Sequence, residues 1–82
     1  MYSVILSDLA SKQLEKLDKE TKFRIISTIK RCRIRPYAHV KKLVDSPYFS
    51  LRAGDYRVIM DIREDKLMIF VIEIGHRSKI YK

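Results

Sequence analysis

The spacing of apolar residues changes once along this chain, and the change dictates its architecture. Ala10, Leu14 and Leu17 stand at i, i+4 and i+7, and Ile25, Ile26, Ile29 and Cys32 share one face of a second segment, so residues up to Pro36 read as two amphipathic helices. From Tyr48 onward the apolar period is two, which is the period of a strand. Ahead of both, Tyr2, Val4 and Leu6 alternate with Ser3 and Ile5 and predict a short first strand.

Punctuation fits this reading. Ser7 or Asp8 can cap the first helix and Asp18 the second, because their side-chain oxygens can accept from the free amides of a first turn. Pro36 closes the second helix, since the residue before a proline is pushed out of the helical region. Residues 37–47 have mixed polarity and read as a surface linker. Strands are predicted over 48–53, with Phe49 and Leu51 facing one way, and over 56–63, joined by a Gly54-Asp55 turn. After a Glu64-Asp65 turn, residues 67–74 are apolar at nearly every position, as in a central strand covered on both sides, and a last extended piece is expected over 78–81.

The expected fold is α+β: a helical hairpin packed on a small antiparallel sheet of about four strands, in the order β-α-α-β-β-β. Residues 1–82 would form a single domain. If Glu64-Asp65 is a two-residue turn, Arg63 pairs with Lys66. Arg57, Ile59 and Asp61 then share an open face with Met68, Phe70, Ile72, Ile74 and His76. Tyr56, Val58, Met60, Ile62, Leu67, Ile69 and Val71 would meet the helices, and a slip of one residue would reverse the assignment.

Several function classes are excluded. The single cysteine, Cys32, rules out an internal disulfide and reads as a small core residue, and no Cys/His cluster has zinc-ligand spacing, so no metal is expected. The only glycines, Gly54 and Gly75, do not form a phosphate loop. Asp8, Glu15, Asp18 and Glu20 sit at helix starts or on exposed faces, and Asp61 and Glu73 are placed to pair with Arg57 or Arg63, so carboxylate catalysis is not indicated. No stretch reaches the roughly 20 apolar residues that a bilayer requires, and residues 1–6 are too short for a signal-peptide core. A cytoplasmic protein is expected.

Charge is the remaining signal. The formal net charge is +8, and residues 21–44 hold Lys22, Arg24, Lys30, Arg31, Arg33, Arg35, Lys41 and Lys42 with no acidic residue. Such a stretch suits a polyanion, though a solvated helix face or an acidic protein partner would look the same. The second half adds Arg52, Arg57, Arg63, His76, Arg77, Lys79 and Tyr81, residue types that bind phosphate, stabilise its pentavalent transition state or move protons.

The segment Leu51-Arg52-Ala53-Gly54-Asp55-Tyr56-Arg57, an apolar hairpin, then Gly75-His76-Arg77 with Tyr81 following, resembles the signature of the RelE/ParE toxin superfamily. The likeness extends over essentially the whole chain. In its RelE branch, which is favoured because Arg57, Arg77 and Tyr81 are all present, it implies a metal-independent messenger RNA interferase. Such an enzyme works in the ribosomal A site, where a 2′-hydroxyl attacks the adjacent phosphate. By position, Arg57 and Arg77 match the arginines that hold the scissile phosphate, and Tyr81 matches a tyrosine beside the reacting nucleotide. Lys30, Arg31, Arg33, Arg35, Lys41, Lys42, Arg52, His76 and Lys79 would contact RNA or ribosome. Tyr48 and Ser50 stand where some relatives carry lysines, leaving His76, Lys41 and Lys42 as candidates for proton transfer. The alternative is a ParE-like, non-catalytic inhibitor of DNA gyrase, and a third reading is a basic nucleic-acid-binding module without toxicity. The toxin readings imply a cognate RelB-like antitoxin, small and often acidic, in a complex with two copies of each chain.

Overall fold

The computed structural model describes residues 1–80, the side chains of Lys79 and Ile80 excepted. Strand β1 (Ser3–Leu6) leads into helices α1 (Asp8–Glu15) and α2 (Lys19–Cys32). A 3-10 turn at Pro36–Ala38 follows, then strands β2 (Val40–Lys42), β3 (Phe49–Ala53), β4 (Tyr56–Arg63) and β5 (Met68–His76), and a short helix α3 (Arg77–Ile80). The five strands form one sheet in the order β1-β5-β4-β3-β2. β1 runs parallel to β5, and every other pair is antiparallel.

The α+β class and the order of elements match the sequence reading, with three differences. The sheet is mixed and has a fifth strand: β2 lies within the stretch read as linker, too short at three residues to show periodicity, and its Val40 packs on the core. The connection from β4 to β5 spans residues 64–67, not two, with Leu67 left-handed at φ 52° and exposed, so Arg63 pairs with Met68 instead of Lys66. Of the extended piece expected at 78–81, Tyr81 lies outside the described residues, and residues 78–80 belong instead to α3. At its start the Ser78 amide donates to His76 Nδ1 at 3.3 Å, and the Ser78 hydroxyl lies 2.9 Å from the same nitrogen, a local cap that favours a helical turn.

A bulge decides which residues face the helices. Ile59 pairs with Glu73 but Met60 pairs with Val71, so Ile72 is an extra residue on β5 and inverts its alternation. Ile69, Val71 and Ile74 all meet the helices and are at most 2% exposed, whereas Ile74 and His76 had been expected on the open face. With them lie Val58, Met60, Leu51 and Ala53, packed against Ala10, Leu14, Ile25, Ile29 and Cys32. Burial pushes the Cys32 thiol up, consistent with an inert core cysteine. α1 and α2 pack on this face of the sheet and not on the other, so β5, an interior strand, is covered by the helical hairpin on one side only.

Two side chains on the α1 side secure the far half of β5, whose outer edge extends beyond the end of β1. Ser7 caps α1 by accepting from the Ala10 amide at 3.0 Å and donates its hydroxyl to the Ile72 carbonyl at 2.7 Å. Gln13 Oε1 accepts from the Ile74 amide at 2.6 Å. Asp18 caps α2 through the Thr21 amide, and that hydrogen bonding holds its carboxyl below the usual value.

Candidate nucleic-acid interface

The open face is assembled by register. Arg57 on β4 lies opposite Arg52 on β3 and opposite Gly75 on β5. One step along, Lys41 on β2 pairs with Ser50, Ser50 with Ile59, and Ile59 with Glu73. Paired residues share a face, so Lys41, Arg52 and Arg57 stand together on the side away from α1 and α2. Lys41 and Arg52 are exposed and Arg57 is half-buried. Gly75 contributes no side chain where Arg57 crosses it. Of the acids on this face, Asp61 is bonded to Arg63 Nε at 2.8 Å, and Glu73 is the diagonal neighbour of Arg57.

Arg77 is the first residue of α3, with its side chain exposed and its amide donating to the Asp55 carbonyl at 3.0 Å. That bond ties the end of β5 to the β3–β4 turn, two residues from Arg57. His76 lies on the helix side of the sheet end, edge-on to Tyr56 with ring centroids 5.6 Å apart, and so does not share a face with Arg57. The bulge at Ile72 is the cause. Tyr81 lies outside the described residues, and of Lys79 only its place in α3 is described.

The contiguous basic stretch is divided by the fold. Lys30 and Arg33 line a groove of about 500 Å³ between α2 and β1, floored by Val4, Leu6, Leu14, Ile26 and Ile29. Arg33 also donates from Nε to the Tyr2 carbonyl at 2.8 Å. Arg31 bonds to Thr28 Oγ1, and Arg35 is exposed before the 3-10 turn. Lys42 pairs with Phe49, which places it on the helix side of the sheet, opposite to Lys41. Of the two cations on β2, it is Lys41 that stands on the face that holds Arg57.

Two features were not visible in the sequence. Arg24, which helical spacing turns away from the core, lies against the β3–β4 turn: its Nη1 is 3.2 Å from where a Cβ on Gly54 would stand. Ser50 is the one buried polar residue among the described residues, 5% exposed, and its hydroxyl has no hydrogen-bond partner among them. Leaving a buried donor unsatisfied costs roughly 1–3 kcal/mol. Nothing in a one-dimensional pattern marks such a residue, because a serine on the outer side of a strand is ordinary. Among the described residues no group of His, Cys, Asp and Glu could hold a metal ion, and no helix is long and apolar enough to cross a membrane.

Sequence and fold comparisons define the class. The chain belongs to the ParE toxin family of type II toxin-antitoxin systems, whose family model matches residues 4–81. It is similar to an Escherichia coli protein described as a RelE-like toxin, with 27% identity over 81 residues, covering 95% of this chain and 85% of that one. Its fold is that of RelE toxins solved with RelB antitoxins. The Mycobacterium tuberculosis RelBE2 complex gives a TM-score of 0.86 at 23% identity, covering 93% of this chain and 98% of that one. The Pyrococcus horikoshii RelE-RelB complex gives 0.82 at 24%, covering 95% and 97%. The intact E. coli RelBE complex gives 0.79 at 23%, covering 93% and 96%.

Proposed function

We propose that this protein is the toxin of a type II pair that arrests translation by cutting messenger RNA in the ribosomal A site. The observation that carries the reading is the sheet face opposite to α1 and α2, where Arg57 sits among Arg52 and Lys41, and Arg77 is tethered through Asp55 at the same end. Guanidinium groups on a rigid sheet are suited to a phosphodiester, because their forked donors match its oxygens and their charge opposes the negative charge that builds in the transition state. The 2′-hydroxyl attacks the adjacent phosphorus, the bond to the 5′-oxygen breaks, and a 2′,3′-cyclic phosphate remains. Arg57 and Arg77 hold the phosphate, Tyr81 stands by the reacting nucleotide, and no metal takes part. The other cations, Lys30, Arg31, Arg33, Arg35, Lys42, His76 and Lys79, bind ribosome or partner.

The partner is a RelB-like antitoxin, acting in the cytoplasm in a complex with two copies of each chain. The groove beside β1 supports this, since an apolar floor edged by Lys30 and Arg33 suits an amphipathic acidic segment.

The test is an in vitro translation reaction in which messenger RNA ends are mapped by primer extension after the protein is added. Ribosome-dependent cuts are expected, falling by about 10²-fold or more in Arg57→Ala and Arg77→Ala. The match to the ParE family supports a second reading, a non-catalytic inhibitor of DNA gyrase. Intact message together with blocked supercoiling in a gyrase assay would establish that reading and overturn the first.

A further inference from the structure

The end of β5 that leads to Arg77 is held differently along its two edges. On the inner edge residues 73–76 pair with residues 56–59 of β4. On the outer edge β1 stops at Leu6, opposite Val71, and among the described residues no strand lies beside residues 72–76. Side chains at and within α1 take its place: Ser7 Oγ donates to the Ile72 carbonyl at 2.7 Å, and Gln13 Oε1 accepts from the Ile74 amide at 2.6 Å. The same stretch contains two features that loosen a strand, the bulge at Ile72 and Gly75, which brings backbone freedom and no side chain to pack. Gln13 is the support nearer to the site. It is half-buried in the last turn of α1, one residue before Leu14, which with Ala10 belongs to the same core cluster as Ile74. Its carboxamide has the same kinds of donor and acceptor as a peptide group, so it completes the edge where a neighbouring strand would otherwise be needed.

We propose that Gln13 is a positioning residue for Arg77. By closing the outer edge of β5 at Ile74 it fixes the strand through Gly75, which lies opposite Arg57, and so keeps the Arg77 amide on the Asp55 carbonyl at 3.0 Å. Without that acceptor the Ile74 amide is satisfied only by water, which enters by opening the edge, and glycine offers little resistance to that opening passing along the chain to Arg77. Gln13 contributes no group to the reaction and acts through the backbone alone. The catalytic consequence rests on the nuclease reading above and deepens it: a guanidinium that must meet the charge building on a phosphate loses effect when it is misplaced by about 1 Å.

The test combines amide hydrogen exchange, read residue by residue on the full-length protein by NMR, with rates of message cutting over a range of ribosome concentrations. Gln13→Met keeps the length and helix propensity of the side chain and removes the acceptor. It is expected to speed exchange about tenfold at Ile74 and also at Arg77, three residues on and bonded to the β3–β4 turn, and to speed it less at the centre of α2, which reports global unfolding. The maximal cutting rate should fall about tenfold at an unchanged half-saturating concentration of ribosomes. Gln13→Glu, whose carboxylate still accepts, should restore both, and Lys12→Met, at the exposed neighbouring position, should alter neither. Faster exchange confined to Ile74 would make Gln13 an ordinary edge contact and overturn the proposal, as would parental cutting by a Gln13→Met protein whose Arg77 amide is released. If the parent cuts no message, release of the Arg77 amide in Gln13→Met and its recovery in Gln13→Glu keep the positioning role and remove the nuclease. Normal cutting by the parent, with an unaltered Arg77 amide in Gln13→Met, keeps the nuclease and removes the role.

Discussion

On the side of the sheet that meets α1 and α2, Val58, Met60, Ile69, Val71 and Ile74 are at most 2% exposed and belong to one apolar cluster. On the other side the same strands present Arg57, Asp61, Glu73 and, from β3, Arg52 and Ser50. A strand that alternates between two such environments performs two tasks with one backbone. The apolar set fixes the position of the sheet, and that fixed sheet holds the charged set in place with no further structure of its own. The two faces should therefore answer mutation in different currencies: stability on one side, and ligand binding with little change in stability on the other.

The strongest way to break that contrast is to cut into the covered face. Ile25 of α2 is fully buried in the core cluster, so Ile25→Ala is expected to lose about 2–5 kcal/mol from the lost transfer energy and the cavity left behind. Against the roughly 5–15 kcal/mol that holds a typical domain together, this is a large share, and urea unfolding would read it directly. Arg57→Ala should leave the urea midpoint near the parent while abolishing message cleavage. If the two variants lost stability alike, the division of labour between the faces would be wrong.

A smaller effect is expected where the two faces are coupled. Ser7 caps α1 and also bonds the Ile72 carbonyl at the bulge, which sets the phase of β5 up to His76. Ser7→Ala removes a cap and a strand-edge hydrogen bond together, for about 1–2 kcal/mol by denaturation. Hydrogen exchange should show the loss concentrated in the amides of α1's first turn and of the far half of β5, not spread evenly.

That bulge also marks the limit of what could be read from residues in a row. The helices, the β3–β4 hairpin and the core residues of both were legible because each repeats a local period, and the Gly54-Asp55 turn carries its own residue signature. β2 was not legible, because three residues hold no period and its pairing with β3 is set by tertiary contact. The faces of Ile74 and His76 were not legible because one extra residue at Ile72 shifts parity without any mark in composition. For the site, Arg52 and Arg57 were predicted as site residues and the fold brings them together, and Lys41 joins them only through the unread strand. His76 was separated from Arg57 by the bulge, and the orphaned hydroxyl of Ser50 exists only in three dimensions.

The smallest of these effects is expected at Gly54, where the covered and open faces meet. Its φ of 64° lies in the left-handed region, and Arg24, reaching over from α2, stands where a Cβ would project, with Nη1 at 3.2 Å and Cδ at 3.4 Å. Gly54→Ala therefore meets two obstacles, backbone strain of about 1 kcal/mol and a side chain that must give way by a few tenths of an ångström. A double-mutant cycle separates them. In an Arg24→Ala background the backbone strain persists and the crowding vanishes, so the penalty of Gly54→Ala should shrink by a few tenths of a kcal/mol without disappearing. An unchanged penalty would mean that Arg24 swings clear at no cost and that the contact between α2 and the β3–β4 turn does not hold the turn. A penalty that vanished would mean that the turn relaxes and that its left-handed residue is not what fixes the Arg52–Arg57 register.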